Sequence, residues 1–248
     1  MNMFRIRLGI SYDGTGYGGF QIQDNAPTIQ GELEKALAVI YKQPLRITGA
    51  GRTDAGVHAL GQAAHYDAPF EIPSSRLPAA LNALLPEDIV VFKAEPAAPD
   101  FHARFSALRK IYSYTLDRAA YPQVMRRRYS CHLPGPFNQD AVREACRLLE
   151  GTHDFRAFQA TGSPVQYTER TLYRVELVEL AGEKLLRLIF EGDGFLYKMV
   201  RLMVGSLLRV GQGKLEPAAV SSALEGRRPG AVGPTAPPQG LCLEKVIY

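Results

Sequence analysis

The order in which hydrophobic periodicities follow one another constrains this chain most, because the same succession of strand-like and helix-like segments runs through it twice. Phe4, Ile6, Leu8 and Ile10 alternate with Arg5, Arg7, Gly9 and Ser11, the two-residue period of a strand with one buried face. Behind Pro27-Thr28, the residues Ile29, Leu33, Ala36, Leu37 and Ile40 fall at helical spacing, with Thr28 placed as the N-cap. A short strand near 45–48, a glycine-rich loop, a strand near 62–66, a helix around 75–84 and the apolar run 89–94 complete a β-α-β-β-α-β series. The second half repeats the order without repeating the sequence: strand 111–116, helix 138–149 ended by Gly151, a hairpin, a long helix 195–210, a short helix opened by Pro217, and a final strand 241–248. In the hairpin, Tyr173, Val175 and Leu177 line one face of the first strand, 181–184 make the turn, and Leu186, Leu188 and Phe190 line the second. The expected architecture is α+β, two ferredoxin-like (βαββαβ) halves with antiparallel sheets flanking a central cleft. The halves are expected at 1–100 and 101–248, with linkers near 95–100 and 227–240 where proline or glycine is dense.

Charge divides unevenly between these halves. Residues 1–102 carry 8 Lys and Arg against 11 Asp and Glu, net −3, whereas residues 103–248 carry 21 against 14, net +7. A polyanion therefore has more reason to bind the second half. Cys131, Cys146 and Cys242 are far apart with no C-x-x-C pair, so neither a zinc ribbon nor a disulfide framework is expected, and a reducing cytoplasm is the expected home. The chain opens directly into an alternating strand rather than a continuous apolar leader. Its longest apolar segment, 195–210, is interrupted by Lys198, Arg201 and Arg209, which argues against a membrane span.

Chemistry concentrates in residues 49–62, Gly-Ala-Gly-Arg-Thr-Asp-Ala-Gly-Val-His-Ala-Leu-Gly-Gln. Four glycines there let the backbone turn and a substrate come close, so Arg52 and Asp54 read as placed for contact rather than packing. In an extended loop both point the same way, and a guanidinium beside a carboxylate favours the charged acid, which suits a nucleophile better than a proton donor. The competing reading is a surface turn with a local ion pair. His58 and His65 lie seven residues apart, a spacing that matches no metal-ligand signature, and read as structural. The stretch Tyr12-Asp-Gly-Thr-Gly-Tyr-Gly-Gly-Phe20 lacks the lysine and hydroxyl residue of a phosphate loop and reads as a turn beside the site. Arg126, Arg127 and Arg128 run into Tyr129, a combination that grips phosphate and stacks on a base. On the 195–210 segment, Lys198, Arg201, Gly205 and Arg209 fall within about 80° of one another in an ideal helix, a basic stripe. Tyr112 and Tyr114 share one face of their strand.

Together these segments resemble the tRNA pseudouridine synthase A (TruA) family. The resemblance rests on Gly51-Arg-Thr-Asp-Ala-Gly-Val-His58, Phe101-His-Ala-Arg-Phe-Ser-Ala107, Phe195-Leu-Tyr-Lys-Met-Val-Arg201 with Val204-Gly-Ser206, and Thr235-Ala-Pro-Pro-Gln-Gly-Leu-Cys-Leu243, in order along nearly the whole chain. Where the family often has Gly-Trp this chain has Gly19-Phe20, and Lys110-Ile111 stands where paired arginines are frequent. The resemblance implies that Asp54 is the catalytic carboxylate, Arg52 the arginine of its motif, Tyr112 the ring that stacks on the target uracil, and Arg201 and Leu241 further residues lining the pocket. It also implies isomerisation of uridine to pseudouridine in the anticodon stem-loop of tRNA by a homodimer, with no cofactor and no metal. Arg126, Arg127, Arg128, Lys198 and Arg209 are the expected tRNA-backbone contacts. The rival readings are a non-catalytic RNA-binding protein and a metal-dependent hydrolase using Asp54, His58 and His65.

Overall fold

The structure, a computed structural model, describes residues 3–163, 165–226 and 233–248. It is a mixed α and β fold whose strands pair mostly antiparallel. The chain forms two compact units, one of 1–108 with 242–248 and one of 109–241. Residues 227–232, within the expected linker at 227–240, lie outside the described residues.

In the first unit, elements follow as β1 (Phe4–Tyr12), α1 (Ile29–Tyr41), β2 (Thr48–Gly49), β3 (His58–Ala68), α2 (Leu77–Asn82) and β4 (Ile89–Pro96). Strand β1 lies antiparallel between β3 and β4, and β2 pairs with β3 on the other side. Alternation along β1 buries Ile6, Leu8, Ile10 and Tyr12. Tyr66 of β3, in register with Ile6, reaches the Tyr41 hydroxyl of α1 at 3.2 Å, so α1 covers that apolar face. Thr28 caps α1 by accepting the Gly31 N–H at 3.2 Å. The strand expected at 45–48 shrinks to Thr48–Gly49 because α1 takes over the backbone of Ile47: Glu34 accepts its N–H at 3.0 Å and Gln30 donates to its carbonyl at 3.1 Å.

The opposite face of this sheet is covered too. Arg5 pairs with Asp67 at 2.7 Å and donates to the carbonyls of Pro99 and Phe101, while Arg7 pairs with Glu95 and lies over the Phe101 and Tyr248 rings. Residues 97–100, within the expected linker at 95–100, are thus bound along β1 together with Phe101, helped by the Ala97 N–H donating to Arg5 O at 2.9 Å.

The second unit contains β5 (Arg109–Asp117), β6 (Cys131–His132), α3 (Gln139–Leu149), β7 (Gly151–Asp154), β8 (Glu169–Leu180), β9 (Leu185–Gly192), α4 (Met199–Gly211) and α5 (Ala218–Gly226). Its sheet runs β5-β9-β8-β7, with β6 parallel to β5. Asn138 caps α3 by accepting the Ala141 N–H at 3.0 Å, and Gly151 follows its end with φ +104°. Helix α3 packs on β8, α4 and α5.

Two expectations are corrected here. A register shift between Leu172 and Arg174 of β8 turns the strand, so Leu172 is buried in line with Val175 and Leu177 while Tyr173 is exposed. The helix expected from 195 begins only at Met199, because Lys198 takes a left-handed backbone, φ 57°.

The last strand, β10 (Leu241–Ile247), runs parallel to β3, with Cys242 opposite His58 and Leu243 opposite Ala59. Residues 242–248 therefore count with the first unit. Beside it, Ala50, Ala63 and Ala103 form a small core with Phe101, Val246 and Tyr248, and the Tyr248 hydroxyl donates to Ala103 O at 2.7 Å.

His65 of β3 is buried, and its Nδ1 accepts the Ala103 N–H at 3.1 Å. Burial first, then His102 and Arg5, hold its imidazole below the ordinary histidine value. Its unfolded form binds a proton more readily, so this contribution to stability is complete above pH of about 6.5 and is lost as pH falls from there through the lower value of the folded state. We expect His65→Gln to flatten the acid side of the pH–stability curve, measured as urea midpoints between about pH 5 and 7.5; an unchanged slope would assign the loss to other groups.

Candidate active site

The loop between β2 and β3 carries Arg52 and Asp54, and it is pinned by the backbone on one side and by buried polar groups beneath. Burial alternates along it: Arg52 is exposed, Thr53 buried and Asp54 half-buried. Beneath the loop, the Thr53 hydroxyl shares a hydrogen bond of 2.8 Å with Tyr12. Gln62, fully buried on β3, donates to Gly51 O at 2.9 Å and to the Tyr12 hydroxyl at 3.4 Å. Burial pushes the Tyr12 phenol well above its ordinary value, so it stays protonated.

The glycine-rich stretch after β1 closes the side. Gly19 forms an isolated antiparallel bridge with Asp54, and the Phe20 N–H donates to Thr53 O at 3.1 Å. Gly19 has φ +109°, and a Cβ there would stand 2.6 Å from Thr53 O, so no other residue lets the strands approach this closely. Asp54 O in turn accepts the Val57 N–H at 3.1 Å across a turn that holds Gly56 at φ +76°. The expected turn beside the site is thus the element that clasps it.

Within the second unit, Arg201 and Tyr114 both reach the segment before β10. Arg201 of α4 donates from Nε to Ala236 O at 2.8 Å, and the Ala236 N–H returns to Arg201 O at 3.0 Å. Tyr114 of β5 donates to Pro237 O at 2.9 Å, and its ring closes over Gly240, where a Cβ would lie 2.6 Å away. Tyr112, two residues earlier on the strand, is buried opposite Phe190 and meets Phe195 edge-on, centroids 5.1 Å apart. Leu241, buried, follows the turn Pro238–Gly240 directly.

The basic residues do not gather into one helical stripe. Lys198 precedes α4, with its ammonium 5.0 Å from the Tyr197 ring centroid, Arg201 is engaged with Ala236, and Arg209 is exposed. Gly205 faces protein, since a Cβ there would fall 1.7 Å from Pro234 O. Arg126, Arg127 and Arg128 sit apart from these, at the turn Val124–Arg126: Arg126 pairs with Glu183 at 3.0 Å, Arg127 donates to Val124 O at 2.9 Å, and Arg127, Arg128 and Tyr129 are exposed.

His58 and His65 each use Nδ1 on a backbone amide, Gly14 for His58 at 3.1 Å. Among the described residues no group of three or more His, Cys, Asp or Glu is arranged to hold a metal ion. No described helix is long and apolar enough to cross a membrane. The residues missed in the sequence are Tyr12, Thr53 and Gln62; the one signal for them is a glutamine set among alanines in a strand.

The fold and site therefore define an α+β protein that holds a carboxylate on a clasped glycine loop. The family model for tRNA pseudouridine synthase matches residues 10–106 and 145–248. Proteins named tRNA pseudouridine synthase A are similar over nearly the whole chain: one from an Exiguobacterium species is 45% identical, covering 99% of this chain and 98% of its own. Those from Bacillus subtilis and Moorella thermoacetica are 47% and 44% identical, each covering 98% of this chain and 99% of their own. This chain belongs to the tRNA pseudouridine synthase family, whose members are isomerases. Among solved structures, a chain in the structure of an H/ACA RNP bound to a substrate RNA containing 2'-deoxyuridine matches 82% of this chain and 44% of its own, at TM-score 0.38 and 13% identity, too distant to bear on function.

Removing the buried donor beneath the loop has a defined cost. Gln62→Leu leaves Gly51 O and the Tyr12 hydroxyl short of a partner, and we expect a loss of about 2 kcal/mol in urea unfolding; a loss below about 0.5 kcal/mol would mean that the network does not hold the loop.

Proposed function

We propose that this protein isomerises uridine to pseudouridine in tRNA, at the anticodon stem-loop, with Asp54 as the essential carboxylate. The observation that carries this is the clasped loop: a half-buried acid whose backbone is tied to Gly19 and Val57, in a chain of this family. Such rigidity supports a catalytic group, because positioning an acid in advance lowers the cost of reaching the transition state.

The reaction breaks the N1–C1′ bond, turns the uracil, joins C5 to C1′, and moves one proton off C5 while N1 gains one. No electrons are exchanged. Asp54 supplies the negative charge that each route requires, whether it adds to C1′ or C6 of the nucleotide or draws off the C2′ proton. Tyr112 stacks on the loosened uracil and accepts or relays the C5 proton, directly or through water. Arg52 orients Asp54 and fills the space left by the flipped nucleotide. Arg201 and Leu241 line the pocket, one polar and one apolar.

The excess of positive charge in 103–248 supports a phosphate track through Arg126, Arg127, Arg128, Lys198 and Arg209. Arg126 then exchanges Glu183 for a phosphate. The working form is a homodimer in the cytoplasm whose subunits share the tRNA.

Two measurements test this. Asp54→Asn is expected to bind tRNA as the wild type does while tritium release from C5-labelled uridine falls by more than about a hundredfold; retained release would leave a protein that uses some other acid. Neutralising Arg126, Arg127 and Arg128 to Gln is expected to lower the slope of log affinity against log salt by about 2, and an unchanged slope would put the phosphate track elsewhere.

A further inference from the structure

The turn 101–106 carries a ring that lies mostly in solvent. Phe105 is 76% exposed although it sits in a tightly bonded loop. The His102 N–H donates to Ser106 Oγ at 3.0 Å and the Ser106 N–H returns to His102 O at 2.8 Å. Both the Arg104 and Phe105 amides donate to His102 Nδ1, at 3.2 and 3.3 Å. That arrangement places the proton of the neutral imidazole on Nε2.

Three rings follow one another outward from the sheet. His65, buried on β3, lies 4.9 Å from His102 at 60°, and His102 lies 4.3 Å from Phe105, tilted by 30°. The outermost ring is backed by His102, and at this exposure it keeps a broad apolar surface in solvent. Arg104, exposed, holds its guanidinium 5.6 Å from the Phe105 centroid. A phenylalanine left in water gains nothing for folding, and a rigid loop has already given up the freedom that binding would otherwise cost.

We infer that this turn is a stacking platform for an unpaired or flipped base of the RNA, with Phe105 as the stacking ring and Arg104 as its cationic flank. The inference rests on the tRNA reading above. Paired RNA offers phosphates and groove edges but no base faces, whereas a loop nucleotide offers a planar ring that extends the His65–His102–Phe105 series by one. The chain neighbours Arg104 and Ser106 are polar, which suits a base joined to phosphate better than an apolar protein surface.

The chain contains no tryptophan, so Phe105→Trp installs a single indole at the platform. Titration with tRNA is expected to quench its emission. In gel-shift titrations, Phe105→Ala should weaken tRNA binding about tenfold and Phe105→Trp should restore it. Circular dichroism melting of both variants is expected to match the wild type, because the ring is exposed. If tRNA binds but the indole is not quenched, or Phe105→Ala binds as tightly as wild type, the platform is refuted and the synthase reading stands. If Phe105→Ala instead alters self-association in sedimentation with tRNA affinity intact, the ring is a protein contact and the inference is equally refuted. Should the wild type neither bind tRNA nor release tritium, the underlying reading fails and the platform with it.

Discussion

A carboxylate on a glycine-rich loop is useful only if the loop has nowhere else to go, and here a single buried amide removes the alternatives. Gln62 lies on β3 with no exposed surface, and from there it reaches both the loop backbone at Gly51 and the Tyr12 hydroxyl that holds Thr53. Loops pay for mobility with imprecision. By anchoring this one to the two central strands of its unit, the chain gives it the stiffness of a sheet while leaving Arg52 and Asp54 accessible. The same logic explains the approach of Gly19: with no side chain between them, two backbone segments share a bridge at the acid itself.

The second unit treats its own candidate residues differently. There the segment leading to β10 is irregular, and its carbonyls at Ala236 and Pro237 are met by Arg201 and Tyr114. Irregular backbone that is partly buried must find donors from side chains. Arg201 thus has a structural task at Nε alongside the pocket role proposed for it. The closure of Gly205 against Pro234 and of Gly240 against Tyr114 shows why small residues recur in these motifs: they are contact points between backbone and neighbour.

Much of this was legible because it is local. Thr28 as a cap, the alternation of β1, the Asn138–Leu149 helix and the 181–184 turn all follow from residues within a few positions of one another. What was not legible depends on distant partners or on backbone strain. Tyr173 matches the alternation of Val175 and Leu177, yet a register shift against β9 carries it to solvent. Lys198 carries no residue-type mark of a left-handed turn. Gly205 fits a basic stripe by angle, but Pro234, nearly thirty residues on, occupies that side. In the loop, the motif points to Arg52 and Asp54, while the partners beneath them come from Tyr12 and Gln62 and appear only once the strands are paired.

The parallel seat of β10 on β3 joins segments that are far apart in sequence, and therefore in the time at which they are made. A ribosome delivers the strands of the first unit early, but the strand that borders His58 and Ala59 arrives only after all of 109–241 has been made. Until then β3 keeps an open border beside the Asp54 loop, the kind of border that invites wrong pairing. The acid-bearing unit is therefore completed only after 109–241 has been made, so its folding waits on the synthesis of the unit that interrupts it.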